Sequence, residues 1–456
     1  MKKKVLTFLF GLVGVIGMSI AQAQNPECIT NLSIFAEHAK VKNYDAAHEP
    51  WKMVRDNCPE LNSATFVYGN RILEDRIKKA SGAEKTSNIQ ELLKLYDDSY
   101  KYFPKKFPLA KVNSDKALLM FNEKLGSDQE IYDLLHTAFT QDRANFKNPR
   151  ALYLYFSELV NLHNSGNKEL QVVFNTYDDV NERIEEESKT LSGTIDKLLP
   201  KEEAETLSSK EKRTLKRSRT NLGSYEKIRT SIDSKLGALA NCENLIPLYQ
   251  RNFEENKGDA VWLRRAAGRM DAKECTDDPL FVQLVEALDV IEPSASSKYF
   301  LGTLLDKQGK TAEAIDYFNQ SVELETDNFK NARTLYKIAV KLKNRQPATA
   351  RRYAQKALEY QPSLGSAYLL IASLYGNAAN QCGETPFEKR SIWWKAAETA
   401  RRAGRVDPSL KSRANKAANS YAQRAPSKQD IFQAGMSGKT INFKCWVGGS
   451  IKVPNL

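Results

Sequence analysis

The sequence predicts an all-α protein: a solenoid of paired helices, with one long helical hairpin inserted and a small β-hairpin near the end. Three observations predict it. Apolar residues recur three and four apart along most of the chain, the period of a helix with one buried face. The helical stretches come in pairs that close on prolines, at Pro59, Pro104, Pro293, Pro362 and Pro408. Alternating apolar and polar residues, the mark of strands, are confined to Thr440 to Val453.

The chain opens on Met1-Lys2-Lys3-Lys4, runs apolar from Val5 to Ile20 and reaches Ala21-Gln22-Ala23. A charged start, an apolar middle and a small-x-small site make an export signal, with cleavage expected after Ala23. The run is short for a bilayer span, and no second stretch of about 18 apolar residues follows. The exported protein is therefore expected in the periplasm, soluble or peripherally associated with an envelope membrane. Pro26 and Glu27 directly before Cys28 do not suit a lipid-attachment site. Cleavage leaves 433 of 456 residues, more than one compact core usually holds.

The paired helices read as follows. In Cys28 to Pro59, Ala47, Trp51 and Val54 form the inner stripe of a second helix, and Ile34 is expected to face it from the first. In Asn62 to Pro104 the first helix supplies Tyr68-Gly69 and Ile72, with a turn lengthened by about 11 residues around Ser81 to Ser87. Between Phe107 and Gly166, and again from Asp259 to Pro293 with Trp262 and Leu284, helical pairs continue with a fainter pattern. Residues 295–326 carry Leu301-Gly302, Leu305, Gly309-Lys310, Ala314, Phe318 and Val322. Phe329 to Pro362 has Leu335, Ala350, Ala354 and Ala357. Gly365 to Pro408 has Tyr368, Ile371, Ala372 and Tyr375, then an insertion of about 12 residues holding Cys382, then Ala396, Ala400 and Ala403.

The Leu-Gly pair, Ala314 and Phe318 make residues 295–326 resemble the tetratricopeptide repeat, a 34-residue helix-turn-helix unit. The resemblance covers most of the chain and is strongest in its last third. It implies a right-handed superhelix whose concave groove binds peptides or partner proteins, and it implies no catalytic residues. Gly302 and Ala314 are expected where two helices approach closely, with Phe318 filling the space towards the next unit.

Leu170 to Leu239 departs from the repeat. Val173, Tyr177, Val180, Ile184, Leu191, Ile195 and Leu198 are followed by Leu215, Leu222, Tyr225, Ile232 and Leu236, which predicts two long helices breaking near Pro200. The first carries Asp178, Asp179, Glu182, Glu185, Glu186 and Glu187; the second carries Lys210, Lys212, Arg213, Lys216, Arg217 and Arg219. Folding back about residues 200–208 is expected to bring these blocks together in a self-paired, solvated hairpin. At the far end, Thr440 to Val447 and Ile451 to Val453 read as two strands around a Gly448-Gly449 turn. The expected segments are 1–23 signal, 24–167 N-terminal repeats, 168–240 charged hairpin, 241–424 C-terminal repeats and 425–456 β-hairpin cap.

Six cysteines in an exported chain point to disulfides. Six allow 15 pairings. The positions fall into three local couples: Cys28 with Cys58, Cys242 with Cys275, and Cys382 with Cys445. The last bond would staple the β-hairpin to the final repeat. Cys28, His38, His48 and Cys58 also make a zinc-ligand set on paper, but their spacing is wider than in usual zinc modules and the disulfide is preferred.

Net charge is +12, or +9 once Lys2, Lys3 and Lys4 leave with the signal. From Gln24 to Leu236 there are 33 basic and 33 acidic residues, so the whole excess lies beyond Gly237. It is densest from Lys389 to Arg424, at ten basic residues against Glu398 and Asp407. The cationic surface expected there consists of Lys389, Arg390, Lys395, Arg401, Arg402, Arg405, Lys411, Arg413 and Lys416.

No His-Glu-x-x-His, Gly-x-Ser-x-Gly or phosphate-cradling Gly-rich loop occurs, so no enzymatic motif, cofactor or metal is indicated. Trp262, Phe318, Tyr353, Trp393 and Trp394 fit interhelical packing better than a sugar-stacking surface, although Trp393 and Trp394, adjacent on a helix, point about 100° apart. The sequence therefore leads to a periplasmic scaffold that recruits proteins of a cell-envelope assembly. The alternative is a module binding an acidic envelope polymer or lipid headgroup through the basic end. Neither nucleic acid nor a small-molecule substrate is expected.

Overall fold

The computed structural model describes residues 25–237 and 239–456. The export signal expected at 1–23 lies outside them. The described chain forms two compact units, residues up to 126 with 133–146, and 127–132 with 147–456.

The first unit is built from α1 (Pro26–Lys40), α2 (Tyr44–Asn57), α3 (Ala64–Lys79), α4 (Gly82–Tyr102), α5 (Leu109–Glu123) and most of α6 (Asp128–Gln141). Asn25 and Asn43 accept backbone N–H bonds at the starts of α1 and α2, supplying the caps that open helix ends need. Trp51 fills the middle, fully buried, and its Nε1–H donates to the Thr65 carbonyl at 2.8 Å. Gly69 makes room for that ring, since a Cβ there would stand 2.5 Å from it. Two expectations are corrected. Ile34 is 40% exposed and Phe35 is fully buried instead, edge-on to Tyr68 of α3, because the helix is rotated by one residue relative to the expected stripe. The lengthened turn around Ser81 to Ser87 does not exist; those residues from Gly82 on extend α4 at its N-terminus.

The second unit begins with α7 (Pro149–Asn164), α8 (Leu170–Glu203), α9 (Ser209–Gly237) and α10 (Cys242–Asn256). Then come the pairs α11 (Ala260–Ala272) with α12 (Pro279–Ile291), α13 (Ala295–Lys307) with α14 (Thr311–Leu324), α15 (Asn328–Leu342) with α16 (Pro347–Tyr360), and α17 (Gly365–Asn377) with α18 (Pro386–Val406). The helices α19 (Lys411–Ala422) and α20 (Lys428–Ala434) and the strands β1 (Thr440–Asn442) and β2 (Ser450–Lys452) complete it. Asp259, Asp278, Ser294 and Asp327 cap the starts of α11, α12, α13 and α15. Gly309, at φ 80°, turns the chain between α13 and α14 where a side chain would be strained. This is an all-α solenoid of helical pairs.

The long hairpin departs from expectation in three ways. First, the fold-back falls within the expected 200–208 but just past Pro200: α8 runs on to Glu203, because a proline in the last turn forfeits a single N–H bond. The chain turns at Glu205, whose φ of 57° lets the Thr206 N–H reach back to the Lys201 carbonyl at 2.8 Å. Second, the acidic and basic blocks do not meet. Tyr177 bonds Asp233 at 2.7 Å and Lys201 bonds Glu211 at 2.6 Å, which fixes an antiparallel register about residue 206. The acidic block lies about 15 residues further from that turn than the basic block does, roughly 22 Å along the axis. Third, the hairpin is not free in solvent. α8 runs across successive repeats: Asp179 and Glu182 pair with Arg265 of α11, Lys189 with Asp327 of α15, Ser192 with Gln361, Asp196 with the Ser363 N–H, and Glu203 with Arg402 of α18.

The β-hairpin is also differently made. Its connection is the whole of Phe443–Gly449 rather than Gly448-Gly449, closed by the Phe443 N–H on the Gly449 carbonyl at 2.9 Å. It lies on α16 and α18, where Arg351 donates to the Trp446 carbonyl and Lys395 to that of Ser450. The helix packed beyond α18 is α19, so the expected end cap is a side clamp. Disulfides join Cys28 to Cys58, Cys242 to Cys275 and Cys382 to Cys445, with Cα separations of 6.4, 5.5 and 5.5 Å. Among the described residues no helix is long and apolar enough to cross a membrane.

Candidate functional site

The first helices of three successive pairs, α11, α13 and α15, together line an open groove of about 750 Å³. Lys337 and Lys341 share one face of α15 because they are four residues apart, and Tyr299 and Thr303 do the same on α13. Tyr299 and Phe300 are each 6% exposed and meet edge to face at 5.5 Å. Gly268 on α11 leaves space for the Phe300 ring, whose Cζ would stand 3.6 Å from an added Cβ.

The polar groups of the groove divide into satisfied and unsatisfied. Lys341 donates to Asp271 Oδ1 at 2.7 Å, and the Tyr299 hydroxyl donates to the other oxygen at 3.3 Å. Burial, with Asp271 beside it, raises the Tyr299 phenol well above its usual range, so it stays a donor. Arg345 donates to the Asp306 carbonyl and carboxylate at 2.7 and 3.1 Å. Lys337 makes no ion pair among the described residues; its ammonium stands 5.9 Å from the centre of the Tyr299 ring. It is reached by water yet recessed in the wall, and desolvation lowers its affinity for the proton, with Asp271 opposing. One helical turn away, Arg333 is also desolvated and is pushed down to about 10, while pairing with Glu226 at 3.2 Å. A cation with no partner beside an aromatic ring is suited to a carboxylate flanked by an apolar group.

The nine basic residues singled out in the sequence do not form one surface. Arg390 is spent on the carbonyls of Arg424 and Ala425 and on Asp430 at 3.0 Å. Lys395 lies under the β-hairpin, its ammonium over the rings of Tyr375 and Phe443, with burial and then Arg351 lowering its proton affinity. Arg402 pairs with Glu203 at 3.1 Å and covers Tyr368. Lys389 is half-buried. Arg401, Arg405, Lys411, Arg413 and Lys416 are exposed and make no ion pair among the described residues.

Cys28 and Cys58 are bonded to each other, so neither thiolate is free to join His38 and His48 around a metal. Phe318 and Tyr353 are buried. Trp393 is sandwiched between Tyr421, stacked at 5.7 Å, and the Arg424 guanidinium at 4.9 Å, while Trp394 meets Phe387 edge-on at 6.0 Å. Sequence reasoning did not single out Tyr299, Lys337 or Lys341. The available signal was their place on the first helix of each pair; Tyr299 also reaches Phe318 on the second, at 5.9 Å between ring centres.

Helices stacked pairwise, with small residues at the closest approaches, define a helical-repeat protein. No protein-family model matches the chain. The photosystem I assembly protein Ycf3 of Prochlorococcus marinus subsp. pastoris is 30% identical over 142 residues, which are 29% of this chain and 81% of that protein. The chain belongs to the tetratricopeptide repeat family. As such it is a scaffold for protein–protein interaction. Among solved structures, a tetratricopeptide repeat protein from Parabacteroides merdae shares 12% identity over 68% of this chain and 98% of that one, with a TM-score of 0.25. The Cut9–Hcn1 hetero-tetramer of the APC/C shares 10% over 91% and 88%, at 0.29, and yeast Tom70 shares 13% over 89% and 82%, at 0.25.

Proposed function

We propose that this protein is an exported scaffold of the cell envelope that holds a segment of a partner protein in the groove of α11, α13 and α15. The observation that carries the reading is Lys337, an ammonium without an ion-pair partner beside Tyr299, in a groove where Lys341 and Arg345 are already held by Asp271 and Asp306. The segment would place a carboxylate on Lys337 and an apolar side chain on Tyr299 and Phe300. The envelope part of the reading draws on the export signal in the sequence and on six cysteines in three disulfides, which persist in oxidising compartments. The Ycf3 relative is named for assembly of photosystem I, and an assembly role in an envelope complex is the corresponding reading here.

The test is co-purification of the full chain with its partners from detergent-free envelope extracts. Lys337→Glu should leave the melting curve unchanged and reduce recovery of a defined partner by about ten- to a hundredfold, the worth of a charge-assisted hydrogen bond. Recovery of the same partners at wild-type yield would move the site elsewhere.

A further inference from the structure

A second cleft lies where the hairpin meets the last repeats, with no lining residue in common with the Lys337 groove. A cleft of about 540 Å³ opens between α9 and the 3-10 turn Pro408–Leu410. Its walls carry Lys212, Lys216, Arg219 and Lys227, against a single carboxylate, Glu202. That carboxylate is already held by both Nη atoms of Arg219 at 2.7 Å. Lys212, Lys216 and Lys227 are exposed and make no ion pair among the described residues. The Arg219 side chain is only 13% exposed, and its buried Nε–H has no acceptor in the protein. Such a donor left without an acceptor costs free energy, and it marks the Arg219–Glu202 pair as closed to further rearrangement.

The floor of the cleft is apolar. Leu215 is buried and Leu207 half-buried there, continuous with Val406 of α18. Gly223 of α9 stands opposite Ser409, and a Cβ there would lie 3.4 Å from that of Ser409, in ordinary contact. Neither component explains the other: a solvated charge coat needs no apolar floor, and an apolar packing defect needs no surplus of three cations.

The geometry points to a docking cleft for an acidic polypeptide segment that carries one apolar side chain. The cations take its carboxylates, and Leu207 and Leu215 take the apolar group. A flat anionic bilayer would reach the rim but not the floor, and a polyanion without apolar groups would leave the floor unused.

The probe is a fluorescent twelve-residue peptide of aspartate and glutamate with one central leucine, titrated into the full exported chain. Two controls accompany it: the same peptide with alanine at the centre, and vesicles of phosphatidylglycerol with phosphatidylcholine. Lys212→Glu with Lys216→Glu should weaken the leucine peptide by about tenfold or more, with an unchanged melting curve. Arg401→Glu with Arg413→Glu removes the same charge elsewhere and should change it less than about twofold. The alanine peptide should bind several-fold more weakly than the leucine peptide. Equal losses from the two double variants, equal binding of the two peptides, or binding to vesicles without binding to the peptide would each overturn the proposal.

Discussion

At Gly302 the lack of a side chain is what lets α13 and α14 meet. A Cβ there would stand 2.6 Å from the Phe318 ring and 3.0 Å from the Ala314 carbonyl, well inside contact distance. Gly302→Leu is therefore expected to lower stability by about 1–3 kcal/mol or more, read by thermal melts followed by circular dichroism. Glu158 makes a pH-dependent case. It is 2% exposed on α7, and burial, then the charge of Asp128, raises it from an ordinary 4.5 to about 6, with Asn161 donating at 3.3 Å and Lys235 opposing. A carboxyl whose folded value is raised is easiest to keep when protonated, so its cost is absent below about pH 4.5 and complete above about pH 6. Glu158→Gln should thus stabilise the protein by about 2 kcal/mol at pH 7.5, with the gain vanishing near pH 4. An equal gain at both pH values would contradict this. Residues like Gly302, Ala314 and Phe318 are legible in a sequence because their spacing is local. Phe35 against Ile34 is not, since neighbouring apolar residues differ only in which one the partner helix reaches. Lys337 is not legible either, because an exposed lysine looks alike on any helix face.

At the scale of elements, α8 is the strut of the second unit. Arg269 on α11 is buried and holds Asp178 of α8 together with the Phe174 carbonyl at 2.8 Å and the Tyr249 hydroxyl. Burial outweighs even that partner and raises Asp178 to about 6. Removing the cation strands a buried carboxylate, so Arg269→Ala is expected to cost about 3–5 kcal/mol by denaturant unfolding, and Asp178→Asn with Arg269→Met much less. The periodicity of Leu170 to Leu239 showed that two helices had buried faces, but a stripe does not say what covers it. The charge blocks misled for a related reason: complementary signs predict pairing only when the register brings them level. The terminal hairpin tests another element. Two strands alone are marginal in water, and the bond from Cys382 to Cys445 closes a separation of 63 residues. Replacing both cysteines with alanine should speed hydrogen exchange at Ile441, Phe443 and Val453 while leaving α13 to α16 protected. Unchanged exchange would mean that the contacts of Arg351 and Lys395 suffice.

Across the molecule, the helical-pair architecture was most readable in the last third, where the local solution is plainest: a small residue at the contact, as at Gly302, a capped start, as at Ser294, and a glycine at the turn, as at Gly309. What a solenoid binds is written on the face that packing leaves free, and there the sequence places few constraints. The second unit spends its surplus cations unevenly. Some brace the β-hairpin, some hold α8, and Lys337 is left unpaired in the groove. The central claim is that this groove receives a partner. It is tested most directly by placing a photo-crosslinking amino acid at Asn344, which lines the groove, and irradiating intact cells. The expected result is one discrete adduct that disappears when Lys337→Glu is introduced into the same chain. No adduct from Asn344, or an adduct undiminished by Lys337→Glu, would contradict the claim.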